Sequence, residues 1–356
     1  MNIDELLETA PEGPAVFAIF AAAGAPYLAR TNQLRRRLKR LLGPNARLFS
    51  LREVAQRVDF TEVASRLEAA ITHYQWAKRC FGNDWRKRLR LRYPSYVKLI
   101  LSNEFPRTQV TSRLSGNAAF YGPFQSRAGA EAFESQLLDL YQVRRCTEDL
   151  APSPSHPGCI YGEMNLCLRP CQQAVSSAEY GSEVGRLRAF LESDGGSLRG
   201  SVVTARDRAS EALEFEEAQR QQKRLEKLEQ VVRLRDDLAH DIESLSGVAV
   251  LPSSAKGTVK LWPFQCGWWQ QPCDFALEGA GVSMDSRLRE LFSTLEIQRG
   301  TIDERQEHTA MLAHWFHSSF RDGEWLPQPL SYRRLVRAVN LVSQLRATPS
   351  SLPAGT

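Results

Sequence analysis

The chain has 356 residues, 42% of them apolar, and a formal net charge of +5; this length suits two or three domains with a real core. No apolar run approaches bilayer length, and the start MNIDELLETAPEG is acidic, without the basic region and apolar centre of a signal peptide. The expectation is a cytoplasmic chain with no membrane span, in which seven cysteines point away from disulfides.

The charge is segregated. Residues 30–98 hold 18 Lys/Arg against 5 Asp/Glu, and the remainder is acidic. Such an imbalance points to a polyanion, with nucleic acid the expected partner of the N-terminal part.

In chain order, AVFAIF (15–20) is a short apolar strand, AAAGAP a break, and PYLAR (26–30) a second strand, so a hairpin is expected. Leu34, Leu38, Leu41 and Leu42 then fall on one helical face, while Arg35, Arg36, Arg37, Lys39 and Arg40 cover the others. Thr31 or Asn32 is placed to cap this helix, and Gly43-Pro44 to end it. VDFTEV (58–63) predicts a third strand, and a helix follows near 66–79. Residues 86–113 are basic with interleaved aromatics, among them Tyr93 and Tyr96; base stacking and a buried strand face weigh equally there. YGPF (121–124) reads as punctuation and 128–143 as a helix.

Cys146, Cys159, Cys167 and Cys171 fall within 26 residues, spaced C-x12-C-x7-C-x3-C on Pro- and Gly-rich loops. Four soft thiolates suit an Fe–S cluster or a structural Zn²⁺, and spacing leaves both open. Residues 177–191 and 200–238 read as helices; the second stretch is so charged that a helical hairpin is expected. From 245 the pattern turns to strands, with helices over 286–320 and 330–346 and a polar tail. Trp262, Trp268 and Trp269 read as core, and His308, His314 and His317 as one packed helix face.

Four segments, in order, resemble the UvrC family, the excinuclease of bacterial nucleotide excision repair, over roughly residues 10–240. PAVF (14–17), YLAR (27–30) and NQLRRRL (32–38) resemble a GIY-YIG nuclease unit. YPSYVKLILSNEFPRTQVTSR with YGPFQS resembles the family's next segment, CTEDLAPSPSHPGCIYGEMNLCLRPC its cysteine series, and ASEALEFEEAQRQQKRLEKLEQV (209–231) its UVR motif. The resemblance implies an α+β fold with four parts. These are a degenerate GIY-YIG-like nuclease domain (10–92), built on a three-stranded antiparallel sheet, and a Cys-rich middle domain (93–195). A UVR-type hairpin (200–238) and a small α/β C-terminal domain (243–346) follow.

The resemblance further implies Tyr27 as the group that activates water, Arg37 and Arg30 as charge clamps, and a 4Fe–4S cluster on the four cysteines. It also implies Mg²⁺ or Mn²⁺ if the unit is active. DNA contacts fall on Arg35, Arg36, Lys39 and Arg40. A UvrB-like partner contacts Leu213, Glu214, Phe215, Glu216 and Ala218. Four positions depart from the nuclease pattern: Phe17 replaces its first tyrosine, Ala29 its glycine, Arg30 its lysine, and His73 its metal-binding glutamate. Imidazole suits Mn²⁺ or Zn²⁺ better than Mg²⁺. Glu68, about one turn before His73, is the one carboxylate placed to restore that ligand. The expected function is repair of damaged double-stranded DNA by nucleotide excision, with incision beside UvrB; the alternative is an inactive DNA- and UvrB-binding scaffold.

Overall fold

A computed structural model describes residues 2–44, 51–279, 281–294 and 296–345. The polar tail and residue 346 lie outside the described residues. The fold is α+β, with three antiparallel sheets.

The first unit comprises α1 (Ile3–Thr9), β1 (Ala15–Ala21), β2 (Tyr27–Thr31), α2 (Leu34–Leu42), β3 (Ala55–Glu62), α3 (Arg66–Phe81) and the single turn α4 (Trp85–Arg88). Its sheet order is β2-β1-β3, so β2 is an edge strand. Strand alternation divides the apolar residues of β1 between two faces. Ala15, Phe17 and Ile19 pack with Leu34, Leu38 and Leu42 of α2, whereas Val16 packs with Ala69 of α3. The sheet thus lies between helices. Neither Thr31 nor Asn32 is the α2 cap: Gln33 holds that position without a side-chain bond, and Thr31 Oγ1 instead accepts the Gln33 N–H at 3.2 Å.

The second sheet has the order β5-β4-β6-β7, from β4 (Ser95–Ile100), β5 (Arg107–Thr111), β6 (Ala118–Phe124) and the short β7 (His240–Asp241). YGPF is not punctuation but the end of β6. Gly122 is needed there: its φ is 151°, and a Cβ would meet the Tyr96 ring at 2.8 Å. α5 (Arg127–Leu138) stops before the expected 143, because α7 captures the following chain. The Gln142 N–H donates to Glu183 at 2.8 Å and the Arg144 N–H to Tyr180 Oη at 3.0 Å. α6 (Ile160–Glu163), α7 (Ser177–Glu192), α8 (Gly196–Glu211) and α9 (Phe215–Arg233) follow. One core joins this sheet to α5, α7 and the base of α9 through Val97, Phe133, Tyr180, Phe190 and Leu228.

The third sheet contains β8 (Gly247–Pro252), β9 (Thr258–Gln265), β10 (Trp268–Trp269), β11 (Cys273–Ala276) and β12 (Glu324–Pro327). The helical stretch expected over 286–320 divides into α10 (Met284–Ser293) and α11 (Ile302–Phe316); α12 (Tyr332–Leu345) closes the described chain. On β8, Val248 and Val250 face the core that includes Leu335 and Val339 of α12, and Ala249 and Leu251 face the core that holds α11 and α3.

Helix α3 is therefore shared. Ala69 and Trp76 face the first sheet, while Leu67, Ile71, Tyr74 and Ala77 join Trp262, Phe264, Trp269, Leu312 and Trp315. Polar contacts fix the same junction. Tyr74 Oη donates to Glu307 at 2.6 Å, and Lys78 pairs with Glu304 at 2.6 Å. Lys260 of β9 pairs with Glu68. Among the described residues, no helix is long and apolar enough to cross a membrane.

Candidate nucleic-acid interface and cysteine pocket

The hairpin register sets Phe17 opposite Ala29 and Ile19 opposite Tyr27. Tyr27 is exposed at the sheet edge, and Arg37 of α2 donates from Nη2 to its phenolic oxygen at 2.8 Å. Phe17 is fully buried beneath, its ring centroid 6.0 Å from that of Tyr27. Two of the expected catalytic groups therefore meet.

The other two form a separate pair. Alternation along β2 turns Leu28 and Arg30 toward α3, away from Tyr27 and Ala29. Leu28 packs against Val16, Val63 and Ala69 on that side. His73 of α3 is half-buried, and burial, followed by the charge of Arg30, holds its imidazole down at about 4. The charge that acts on the expected metal ligand is thus a cation. Glu68 does not restore the ligand set: it is buried, accepts the Ala64 N–H at 2.7 Å, and pairs with Lys260. A divalent ion needs hard oxygen donors, and His73 beside Arg30 supplies none. These residues do not fit Mg²⁺.

The cationic helix is less free than its sequence implies. Arg35 donates to the Ala10 carbonyl at 2.7 Å and pairs with Glu12 at 2.7 Å, so it braces the N-terminal loop. Arg36 is exposed and bonds Gln33 at 3.2 Å. Lys39 and Arg40 are exposed, and among the described residues neither makes an ion pair. Of the two interleaved tyrosines, Tyr96 is fully buried and cannot stack on a base, whereas Tyr93 is exposed.

Cys146, Cys159, Cys167 and Cys171 line one pocket with Arg144, Arg145, His156, Gly158, Gly162 and Arg169. The loop reaches this shape through left-handed backbone at Gly158, Asn165, Arg169 and Gln173. The buried Arg144 guanidinium lies 3.5 Å from Cys146 Sγ, and the Arg169 N–H donates to Cys167 Sγ at 3.4 Å. Burial, reinforced by the other three cysteines, pushes the Cys167 thiol up to about 11. Ionising Cys167 therefore needs a compensating cation. Among the described residues, no group of three or more His, Cys, Asp or Glu side chains is drawn around a single metal-ion position.

α8 and α9 form the expected hairpin, with its turn at 212–214. Leu213 takes a left-handed φ of 59° there, and the Glu214 N–H reaches back to the Ala209 carbonyl at 2.8 Å. The tip leaves Leu213 69% and Phe215 71% exposed, beside exposed Glu214 and Glu216 and half-buried Ala218. The base is anchored by Leu225, Leu228 and Val231.

The three late histidines do not share a face. His308 is half-buried and accepts the Trp269 N–H at 3.0 Å; His317 lies 3.3 Å from Asp236; His314 is exposed. Arg30 and Arg92 both lower the His314 pKa, after burial. Sequence reading passed over Arg144 and Arg169, which lie within two residues of a cysteine, the available signal; it placed Arg92 only in a basic stretch and His314 only on a packed helix face.

Residues 95–190 match the family model "UvrC/Cho excinuclease, middle domain". Proteins called UvrABC system protein C are similar over a wider span. That of Rickettsia bellii is 24% identical over 263 residues, covering 72% of this chain and 41% of the relative. That of Lachnospira eligens is 25% identical, covering 73% and 44%. That of Xanthomonas oryzae pv. oryzae is 27% identical, covering 71% and 41%. No solved structure matches the chain. The chain spans about two fifths of the length of these relatives, and it is UvrC-like in its middle domain and across roughly seven tenths of its own length.

Proposed function

We propose that this chain binds damaged double-stranded DNA in UvrC-type nucleotide excision repair, beside a UvrB-like protein and from the cytoplasm. It does not cut that DNA in Mg²⁺. In this reading residues 10–92 grip the phosphate backbone, 93–195 carry a 4Fe–4S cluster, and the tip of the 200–238 hairpin docks the partner. Residues 243–346 brace the first part. The observation that carries the proposal is the four-thiol pocket within the stretch similar to the UvrC/Cho middle domain.

The donor set suits a cluster. Buried Arg144 offsets thiolate charge, and N–H···S contacts to Cys146 and Cys167 are the kind that tune cluster potential. Four soft thiolates suit either a cluster or one Zn²⁺, and the resemblance of the cysteine series to that of the UvrC family favours the cluster. A bound cluster would supply redox-sensitive order to the loop; the chain's own part is to hold and shield it.

Nicking of a lesion-bearing duplex, with and without a UvrB-like protein, tests the reading. The expected result is salt-sensitive binding, strengthened by the partner, with the strands left intact in Mg²⁺. Absence of DNA binding overturns it. The second reading, a working nuclease, is favoured by the Tyr27–Arg37 contact and is the outcome if Mg²⁺ supports incision.

A further inference from the structure

We infer that the exposed face of α12, which carries Arg333, Arg334 and Arg337, is a second contact for the phosphate backbone of DNA, built into the C-terminal unit. The inference rests on the DNA-binding reading and deepens it. Every expected DNA contact falls in the N-terminal unit, and the match to the middle-domain model ends at residue 190.

Helical periodicity gives α12 two faces. Leu335, Ala338, Val339 and Val342 are buried in one core with Val248, Val250 and Leu261 of the third sheet. Arg333, Arg337, Asn340, Leu341 and Gln344 fall on the opposite arc, with Arg334 at its edge, and all six are exposed. Arg333 and Arg334 are each within one turn of Arg337, so the three side chains are neighbours, with Cβ atoms about 5–6 Å apart. A fourth guanidinium, that of Arg289 on α10, lies 4.1 Å over the ring of Tyr332 at the start of the helix. Since α12 covers the face of β8 turned away from α11 and α3, this surface is separate from the N-terminal unit.

The chain does not answer this charge. α12, β8 and β9 contain no carboxylate. On the other elements packed against α12, Asp285 pairs with Arg289 at 2.7 Å, Glu324 lies 4.0 Å from Arg321, and Glu290 points to solvent. Among the described residues, Arg333, Arg334 and Arg337 make no ion pair. By contrast, Arg127 of α5 and Arg188 of α7 each meet a glutamate one turn on, at 2.7 Å. Nor does the arrangement serve the helix: like charges one turn apart repel, and the dipole disfavours cations in a first turn. A bound polyanion relieves both penalties. The three arginines span about 6 Å of helix axis, and a duplex carries one charge per about 1.7 Å of its own, so each can meet a phosphate. Arginine's planar fork takes two phosphate oxygens at once.

The test uses the whole chain and a labelled duplex of about 50 base pairs, roughly 170 Å long, with affinity measured across a salt series. Arg333→Gln with Arg334→Gln and Arg337→Gln should flatten the log–log slope by about 2.7, about 0.9 for each phosphate no longer neutralised, and weaken binding at least about tenfold near 0.1 M salt. The same three positions changed to lysine keep the charge and should keep the slope. Arg188→Gln with Arg199→Gln and Arg208→Gln removes equal charge from α7 and α8 and should leave the slope unchanged. If the parent binds and the α12 glutamine variant keeps its slope, or the α7–α8 variant flattens it as much, the α12 contact is refuted while DNA binding stands. A glutamine variant that keeps its duplex affinity but no longer binds vesicles of anionic lipid assigns the face to a membrane and refutes it as well. If the parent binds no duplex, both readings fall.

Discussion

Arg37 donates to the phenolic oxygen of Tyr27 across 2.8 Å, from helix α2 to the edge strand β2. This contact orients a potential base beside a cation. It also lies on the far side of β2 from Arg30 and His73, so the groups that would polarise water and those that would hold a metal are not assembled at one point. Nicking in Mg²⁺ is therefore expected to be undetectable, with at most a trace in Mn²⁺, where imidazole is an acceptable ligand. Robust Mg²⁺-dependent incision, abolished by Tyr27→Phe or Arg37→Ala, would show a complete catalytic centre.

The cysteine pocket predicts a brown protein after anaerobic purification, with broad visible absorbance and about four irons per chain. Cys167→Ala should bleach the absorbance and loosen the 146–171 loop to protease. Colourless protein with one zinc would keep the site and replace the cluster.

Phe215 is 71% exposed at the hairpin tip, so its side chain contributes little to folding. Phe215→Ala should change stability by less than about 0.5 kcal/mol. It should weaken capture of a UvrB-like protein about tenfold or more, as removal of an aromatic anchor does. DNA binding should persist. Equal capture by the variant would place the partner elsewhere.

Burial holds His73 and His308 down at about 4, well under the unfolded value near 6.5. Between those values the unfolded chain binds protons that the folded chain does not. Stability is then complete above about pH 6.5 and falls as the pH drops toward 4, by at most about 1.4 kcal/mol per pH unit for each histidine. Urea unfolding at pH 7, 5.5 and 4.5 measures this. His308→Gln keeps an acceptor for the Trp269 N–H and should flatten the decline; an undiminished decline would assign it to other groups.

Glu307 is buried and holds both Tyr74 and Arg86. Glu307→Ala leaves the Tyr74 hydroxyl without its acceptor and should cost about 1–3 kcal/mol. Faster hydrogen exchange in both α3 and α11 should accompany the destabilisation, because the two helices share this residue. Exchange confined to α11 would mean that the junction does not move as one body.

The α2 face of Leu34, Leu38 and Leu42, the β1–β2 hairpin and the α8–α9 hairpin were legible in the sequence because their signals are local. Apolar spacing, a glycine-rich break and a charge-laced helix are each set within a few residues. The four clustered cysteines were legible for the same reason. The short strands β7, β10 and β12 were not, since two to four residues carry no usable period. The site was only half legible. Tyr27 and Arg37 are ten residues apart in one motif, and they meet. Glu68 joins Lys260 across 192 positions, and Tyr74 joins Glu307 across 233. Pairings of that separation leave no trace in local patterning. Tertiary packing alone decided that Glu68 is spent on a buried ion pair, that Arg30 faces His73, and that α3 is covered by the C-terminal sheet. The physical reason is that a charge's role depends on which opposite charge packing brings beside it, and that neighbour is chosen by how whole faces of helices and sheets bury their apolar surface.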